Sequence, residues 1–108
     1  MQQQILQVNF TFDVTRNEYE QIVSPLAADF ARVPGLRWKI WLMNENKNEA
    51  GGIYLFDDER STEEFKESPL VAAVLSHPAL ANFNIKQFDV LEEVSAVTNA
   101  PLATATAG

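Results

Sequence analysis

Several residues that could hold a small planar molecule and move a proton on it lie within or near residues 35–56. Trp38 offers a flat apolar surface for stacking, and the phenol of Tyr54 could hold a substrate oxygen or share a proton. Both have a structural alternative, because tryptophan and tyrosine also simply fill protein cores. We assign Phe30 and Gly52 to the same substrate site, although Gly52 could equally mark a bulge or a close backbone approach within a strand.

His77 is the one histidine of the chain, so a conventional imidazole base or metal ligand would have to be this residue. The neighbouring Pro78 indicates a loop or a helix end, where a solvated or capping role is also open. Asn9 could be a polar group of the same pocket or an outward strand residue, and its side is undecided.

The rest of the sequence points away from bound cofactors. A lone histidine cannot complete a three-ligand zinc site without two carboxylates, and no H-E-x-x-H spacing occurs. No G-x-G-x-x-G segment could cradle a nucleotide phosphate. Cysteine is absent, which removes thiolate ligands and a cysteine nucleophile. We therefore expect neither a bound cofactor nor a metal ion.

The length of the chain limits the number of domains, and its charge limits the classes of molecule that it can bind. The 108 residues suit one domain, and the net charge of −7 would repel nucleic acid and anionic lipid. The chain shows no basic and apolar leader and no apolar run of membrane-spanning length. We expect a cytoplasmic protein that binds neither nucleic acid nor membrane.

The elements that must position these side chains follow from hydrophobic periodicity. Alternation predicts strands at residues 5–12, 36–43, 49–56 and 85–94. Helical spacing predicts a helix over 15–32, kinked or divided at Pro25, and further helices over 61–67 and 70–75. Ser61 and Ser68 are the predicted N-caps of the latter two. The signal fades beyond Ser95.

This order predicts an α+β, ferredoxin-like βαββαβ fold, with a four-stranded antiparallel sheet and helices on one face. The uncovered face would expose large apolar side chains, so we expect a homodimer through that face. Trp38 and Trp41 are three apart on one strand and must face opposite ways. We assign Trp38 to a cavity on the helix side and Trp41 to the partner subunit. Residues 1–98 form the domain, and 99–108 form a flexible tail or a dimer arm.

Two segments carry a family resemblance: W-K-x-W at 38–41 and E-A-G-G-I-Y-L-F at 49–56. Together they closely resemble the YdhR mono-oxygenase family, and the resemblance covers roughly residues 6–98. The resemblance implies a dimeric α/β-barrel subunit with a pocket between the sheet and its own helices. In the broader superfamily some members oxidise aromatic substrates with dioxygen and no bound cofactor, and others degrade haem.

The favoured function is a cofactor-independent mono-oxygenase that uses dioxygen on a small phenol or hydroquinone. Trp38 would stack on the substrate, and Tyr54 and His77 would handle the proton. Two alternatives stay open. One, which the resemblance implies, is a haem-degrading mono-oxygenase with His77 as axial ligand and Asn9 as a distal polar group. The other is a non-catalytic module that binds a small ligand. An open cavity between sheet and helices favours an enzyme, and a filled one favours the module.

Overall fold

Apolar alternation builds the first strand. In a computed structural model, which describes residues 2–102, the strand runs over Gln4–Phe12, and every second residue of it is buried. Leu6, Val8, Phe10 and Phe12 point into the core on the helix side of the sheet. A strand whose two faces differ in this way belongs to a sheet with one covered face.

The elements of the described part follow one another as a split βαβ unit. They are β1 (Gln4–Phe12), α1 (Arg16–Val23), α2 (Ala27–Ala31), β2 (Leu36–Asn44), β3 (Glu49–Phe56), α3 (Glu59–Lys66), α4 (Pro69–Leu75), β4 (Leu80–Asp89) and α5 (Glu92–Val97). Short 3₁₀ turns occupy Ser24–Leu26 and Glu45–Lys47. The strands form one antiparallel sheet in the order β2-β3-β1-β4, so the predicted ferredoxin-like fold with helices on one face is confirmed.

Local signals set the helix ends. Thr15 and Glu18 form a capping box, and Pro25 divides the first helical region at a 3₁₀ turn, as predicted. Ser68 caps α4 as expected. The predicted Ser61 cap is wrong, because the Asp58 carboxylate accepts a hydrogen bond from the Ser61 backbone N–H at 2.8 Å. α3 therefore begins at Glu59.

The last strand lies earlier in the chain than its apolar residues suggested. β4 spans Leu80–Asp89 instead of 85–94, and its pairing with β1 continues past an irregularity between Asn9 and Thr11. The residues predicted to end the strand form α5, whose first turn carries Glu92 and Glu93. Acidic residues suit a helix N-terminus, because they compensate its partial positive charge.

An extra residue in β2 decides which way its side chains point. Leu36 pairs with Phe56 and Trp38 pairs with Leu55, so Arg37 is inserted in the ladder as a bulge. Leu36 packs on the helix-side core, yet after the bulge the even-numbered residues turn to the other face. The assignment of the two tryptophans was therefore wrong: Trp41 lies on the helix side, and Trp38 does not.

The face of the sheet that the helices leave uncovered, called here the open face, carries exposed large apolar side chains beside polar ones. Ile40 and Phe88 are 51% and 48% exposed, whereas Leu55 on the same face is fully buried. The Trp38 indole N–H donates a hydrogen bond to the Pro101 carbonyl oxygen at 2.7 Å. The chain after α5 thus returns to this face. The rest of the predicted tail or arm, residues 103–108, lies outside the described residues.

Within residues 2–102, no helix is both long enough and apolar enough to cross a membrane.

Substituting each of the two adjacent glycines of β3 would test two different clashes, one with backbone and one with a side chain. A Cβ at Gly51 would lie 1.9 Å from the Val8 carbonyl oxygen, whereas one at Gly52 would first meet the flexible end of Lys39 at 2.7 Å. We expect Gly51→Ala to lower the free energy of unfolding by about 3 kcal/mol or more, and Gly52→Ala by clearly less. Urea unfolding measures both. Equal losses would contradict the close approach of β3 to β1.

Candidate functional site

A cavity of about 320 Å³ lies between the helix side of the sheet and helices α1, α2 and α4. We call it the helix-side cavity. Its volume is at the lower end of the range for sites that bind small molecules. Most of its wall is apolar: Val8, Phe10, Ile22, Val23, Leu26, Phe30, Leu70, Ala73, Val74 and Leu80. Such a wall offers mainly apolar contacts to whatever binds inside.

Lys39 places its ammonium group among aromatic rings at this cavity. Nζ lies 3.3 Å from the centroid of the Trp41 ring, 3.6 Å from that of Phe30 and 4.6 Å from that of Tyr54. Trp41 meets Phe30 edge to face at a centroid distance of 5.3 Å. Ring faces attract a cation within about 6 Å. The three rings therefore hold the lysine head at the cavity wall.

Gly52 makes room for this arrangement. It stands opposite Trp41 in the β2–β3 ladder, and a Cβ there would lie 2.7 Å from Lys39 Cε and 3.3 Å from Tyr54 Cε1. The absent side chain lets the lysine stem cross the sheet surface. Gly52 thus supports the site from beneath, while Gly51 itself lines the cavity.

The surroundings of Lys39 alter its chemistry. Burial lowers the pKa of Lys39 from its ordinary value of 10.5 to about 7, because a charged group is poorly solvated in an apolar setting. The ring faces attract the charged form and act in the other direction. Among the described residues, no carboxylate forms an ion pair with Lys39. An amine near neutrality can both take up and release a proton at physiological pH.

Two phenols share the cavity with Lys39. Burial raises the pKa of Tyr19 to about 12. Burial, with a smaller contribution from Tyr19, raises the pKa of Tyr54 well above its usual range. Within residues 2–102 neither hydroxyl has a hydrogen-bond partner in the protein. Both phenols therefore stay protonated at neutral pH and are free to donate to a ligand.

His77 follows the C-terminal end of α4 and lines the cavity beside that helix. Its Nδ1 accepts a hydrogen bond from the Ala79 backbone N–H at 3.1 Å, so the hydrogen of the neutral ring is on Nε2. An axial ligand of haem iron needs a ring nitrogen without a hydrogen, and its other nitrogen normally donates. His77 has the opposite arrangement, so it does not fit the haem-ligating role considered above.

The polar groups of the cavity have a common character. Tyr19, Lys39, Trp41, Tyr54 and His77 can each donate a hydrogen bond. In the described part of the chain, no carboxylate or carboxamide side chain lines this cavity, and no cluster of three His, Asp or Glu residues could hold a metal ion. A ligand that offers oxygen acceptors on a flat apolar body would satisfy such a wall.

The structure brings together some of the predicted site residues and separates others. Phe30, Tyr54 and His77 line one cavity, and Gly52 lies beneath it. Trp38 is on the open face because of the bulge at Arg37. Asn9 is also outside the cavity, since its side chain alternates with the buried Val8 and Phe10 and accepts a hydrogen bond from Gln7 Nε2 at 2.9 Å.

Three important residues were missed: Lys39, Trp41 and Tyr19. Unbroken alternation along the strand places Lys39 on the face opposite Trp38, where surface ion pairing is its default role, so the sequence does not assign Lys39 to the cavity. Met43 is the signal in the sequence that could have found Lys39. Met43, Trp41 and Lys39 are alternate residues of one strand and so lie on the same face, and an apolar Met43 suggests that this face is the covered one. Tyr19 carried helical periodicity alone, which does not distinguish a cavity wall from a packed core.

The four-stranded sheet with helices on one face defines a ferredoxin-like fold of the mono-oxygenase-like kind. The chain belongs to the family described as "Putative mono-oxygenase ydhR", whose model matches residues 5–101. No curated protein matches the chain.

Solved structures share this fold at low sequence identity. SnoaB from Streptomyces nogalater, described as a cofactor-independent oxygenase, has a TM-score of 0.68 and 21% identity over 83% of this chain and 94% of its own. The haem degrader MhuD from Mycobacterium tuberculosis has a TM-score of 0.63 and 15% identity over 81% and 95%. A dimeric ferredoxin-like protein of unknown function from Thermobifida fusca has 0.63 and 21% over 82% and 92%.

The lowered pKa of Lys39 predicts a pH-dependent stability. Between about pH 7 and 10 the unfolded chain keeps a proton on this lysine that the folded chain has released, so wild-type stability should rise with pH there. At pH 6 we expect Lys39→Met to be more stable than the wild type by about 2 kcal/mol or more, because one pKa unit corresponds to about 1.4 kcal/mol. The difference should shrink towards pH 10.

Urea unfolding at several pH values checks this expectation. Lys47→Met is the matched control, since Lys47 is exposed in the 3₁₀ turn between β2 and β3 and should show no such trend. A difference between Lys39→Met and the wild type that does not change with pH would show that Lys39 is not desolvated.

Proposed function

We propose that the protein is a mono-oxygenase that oxidises a small phenol or hydroquinone with dioxygen in the helix-side cavity, without a bound cofactor. The observation that carries the proposal is the partly neutral amine of Lys39 in an apolar cavity walled by aromatic rings. The family and the fold shared with SnoaB support the reaction class.

The first step would be proton transfer from the substrate to Lys39. The neutral amine accepts the phenolic proton, and the resulting ammonium stabilises the phenolate across a short distance in an apolar setting. The electron-rich phenolate can then pass electrons to dioxygen directly. For a hydroquinone the balanced outcome is a hydroxyquinone and water, in which dioxygen supplies one oxygen atom to each product.

The remaining side chains would position the substrate. Trp41 and Phe30 offer ring faces and edges for stacking, which transfers to Trp41 the role expected of Trp38. Tyr54 and His77 can donate hydrogen bonds to the substrate oxygens as they become negative. The apolar wall keeps water from competing for these donors.

Oxygen uptake by metal-stripped protein over a panel of hydroquinones tests the proposal. We expect Lys39→Met to lower kcat by roughly 100-fold or more, the usual contribution of a positioned proton acceptor. Trp41→Ala should mainly raise KM, because it removes a stacking surface. Lys47→Met is the matched control and should retain wild-type rates.

Two results would overturn the reaction. One is uptake that does not exceed that of a Lys39→Met, Tyr54→Phe double variant. The other is hydroquinone binding without any oxygen consumption, which would favour the non-catalytic binding module.

We also propose that the protein is a homodimer through the open face. Ile40 and Phe88 expose large apolar surfaces there, and the similar structure from Thermobifida fusca is described as dimeric.

Ile40→Arg should weaken the dimer by about 100-fold or more, because it would bury an unpaired charge. Sedimentation measures the change. Leu75→Arg on α4 is the control, since Leu75 is 44% exposed on the helix side. A wild-type monomer at micromolar concentration would contradict the proposal.

A further inference from the structure

Lys39 differs from the other lysines of the chain in being an amine inside a cavity. Lys66 pairs with Glu63 at 3.0 Å and donates a hydrogen bond to Gln87 at 2.8 Å. Lys47 and Lys86 are exposed to solvent. Lys39 alone is at the cavity wall, where no carboxylate of residues 2–102 holds its head as an ammonium ion. A lysine desolvated in this way is also a nucleophile, since the neutral amine carries the reactive lone pair.

The cavity also offers what an incoming carbonyl group needs. Tyr54 stands directly opposite Lys39 in the β2–β3 ladder, and its protonated phenol has no other described hydrogen-bond partner. A phenol so placed can donate to a carbonyl oxygen while the adjacent amine attacks the carbonyl carbon. The rings of Phe30 and Trp41 would accommodate a flat aromatic body beside the amine. An aldehyde or ketone contains only hydrogen-bond acceptors, which matches the donor-lined wall.

We propose that Lys39 condenses with aromatic aldehydes and ketones that enter the helix-side cavity, forming a Schiff base. The amine nitrogen adds to the carbonyl carbon, the carbonyl oxygen takes up a proton, and loss of one water molecule leaves a carbon–nitrogen double bond. No electrons are exchanged and no dioxygen is needed. This reactivity therefore goes beyond the proposed oxygenation and does not depend on it.

Reductive trapping tests the proposal directly. The full chain is incubated at pH 7 without oxygen, with benzaldehyde and cyanoborohydride, which delivers hydride to the imine and leaves a stable benzylamine. We expect intact mass spectrometry to show rapid addition of one benzyl group. Peptide mapping should place it on Lys39, at a rate at least about 100-fold above those of Lys47 and Lys86, because an ordinary lysine with a pKa near 10.4 is almost wholly protonated at this pH.

The controls separate the cavity amine from other amines. Lys39→Met should lose the rapid addition, and Lys47→Met should keep it. The α-amino group, ordinarily the next most reactive amine near pH 8, is distinguished by its peptide. Tyr54→Phe should slow trapping several-fold without moving its position. Excess phenol, which has no carbonyl group, should protect Lys39 by filling the cavity, and this measurement needs no variant.

Labelling spread evenly over the lysines, or labelling at Lys39 that phenol does not slow, would overturn the proposal. Oxygen uptake is measured on the same preparations. Trapping at Lys39 without oxygen uptake would support the Schiff base and reject the oxygenase, and the reverse result would do the opposite.

Discussion

The desolvation of one ammonium group governs the arrangement of the whole site. Lys39 is placed at a largely apolar cavity, and what compensates its charge is the set of ring faces supplied by Phe30, Trp41 and Tyr54. These rings come from α2, β2 and β3, so the helix layer and the hairpin must hold a fixed spacing. The lysine stem in turn passes over Gly52, where a Cβ would lie 2.7 Å from Lys39 Cε and displace it. A small change in any of these elements would change the solvation of the amine.

The chain as a whole is acidic, with a net charge of −7, yet its cavity presents hydrogen-bond donors. The acidic side chains that start α1, α3 and α5 lie at helix N-termini, where they stabilise the helix ends. Their charges are therefore used at the periphery, away from Lys39. The result is an interior electrostatic environment opposite in character to the average surface.

Most of the fold could be predicted from hydrophobic periods, caps and one proline, because these are local signals. The capping box at Thr15 and the division at Pro25 are examples. The site was predicted only in part. Phe30, Tyr54 and His77 were placed together, but a single inserted residue at Arg37 reversed the two tryptophans and concealed Lys39. A bulge is defined by its pairing with another strand, and a single sequence does not display that pairing.

The position of the bulge has a second effect, since β2 is an edge strand of the described sheet. Unpaired edges are templates for the addition of further strands, and an irregular edge with an outward charge resists this. Arg37 breaks the ladder of β2 and forms an ion pair with Asp57. The same insertion that turns Lys39 towards the cavity therefore also hinders edge-to-edge aggregation. Deleting Arg37 would therefore alter both the ligand chemistry of the cavity and the resistance of the protein to aggregation.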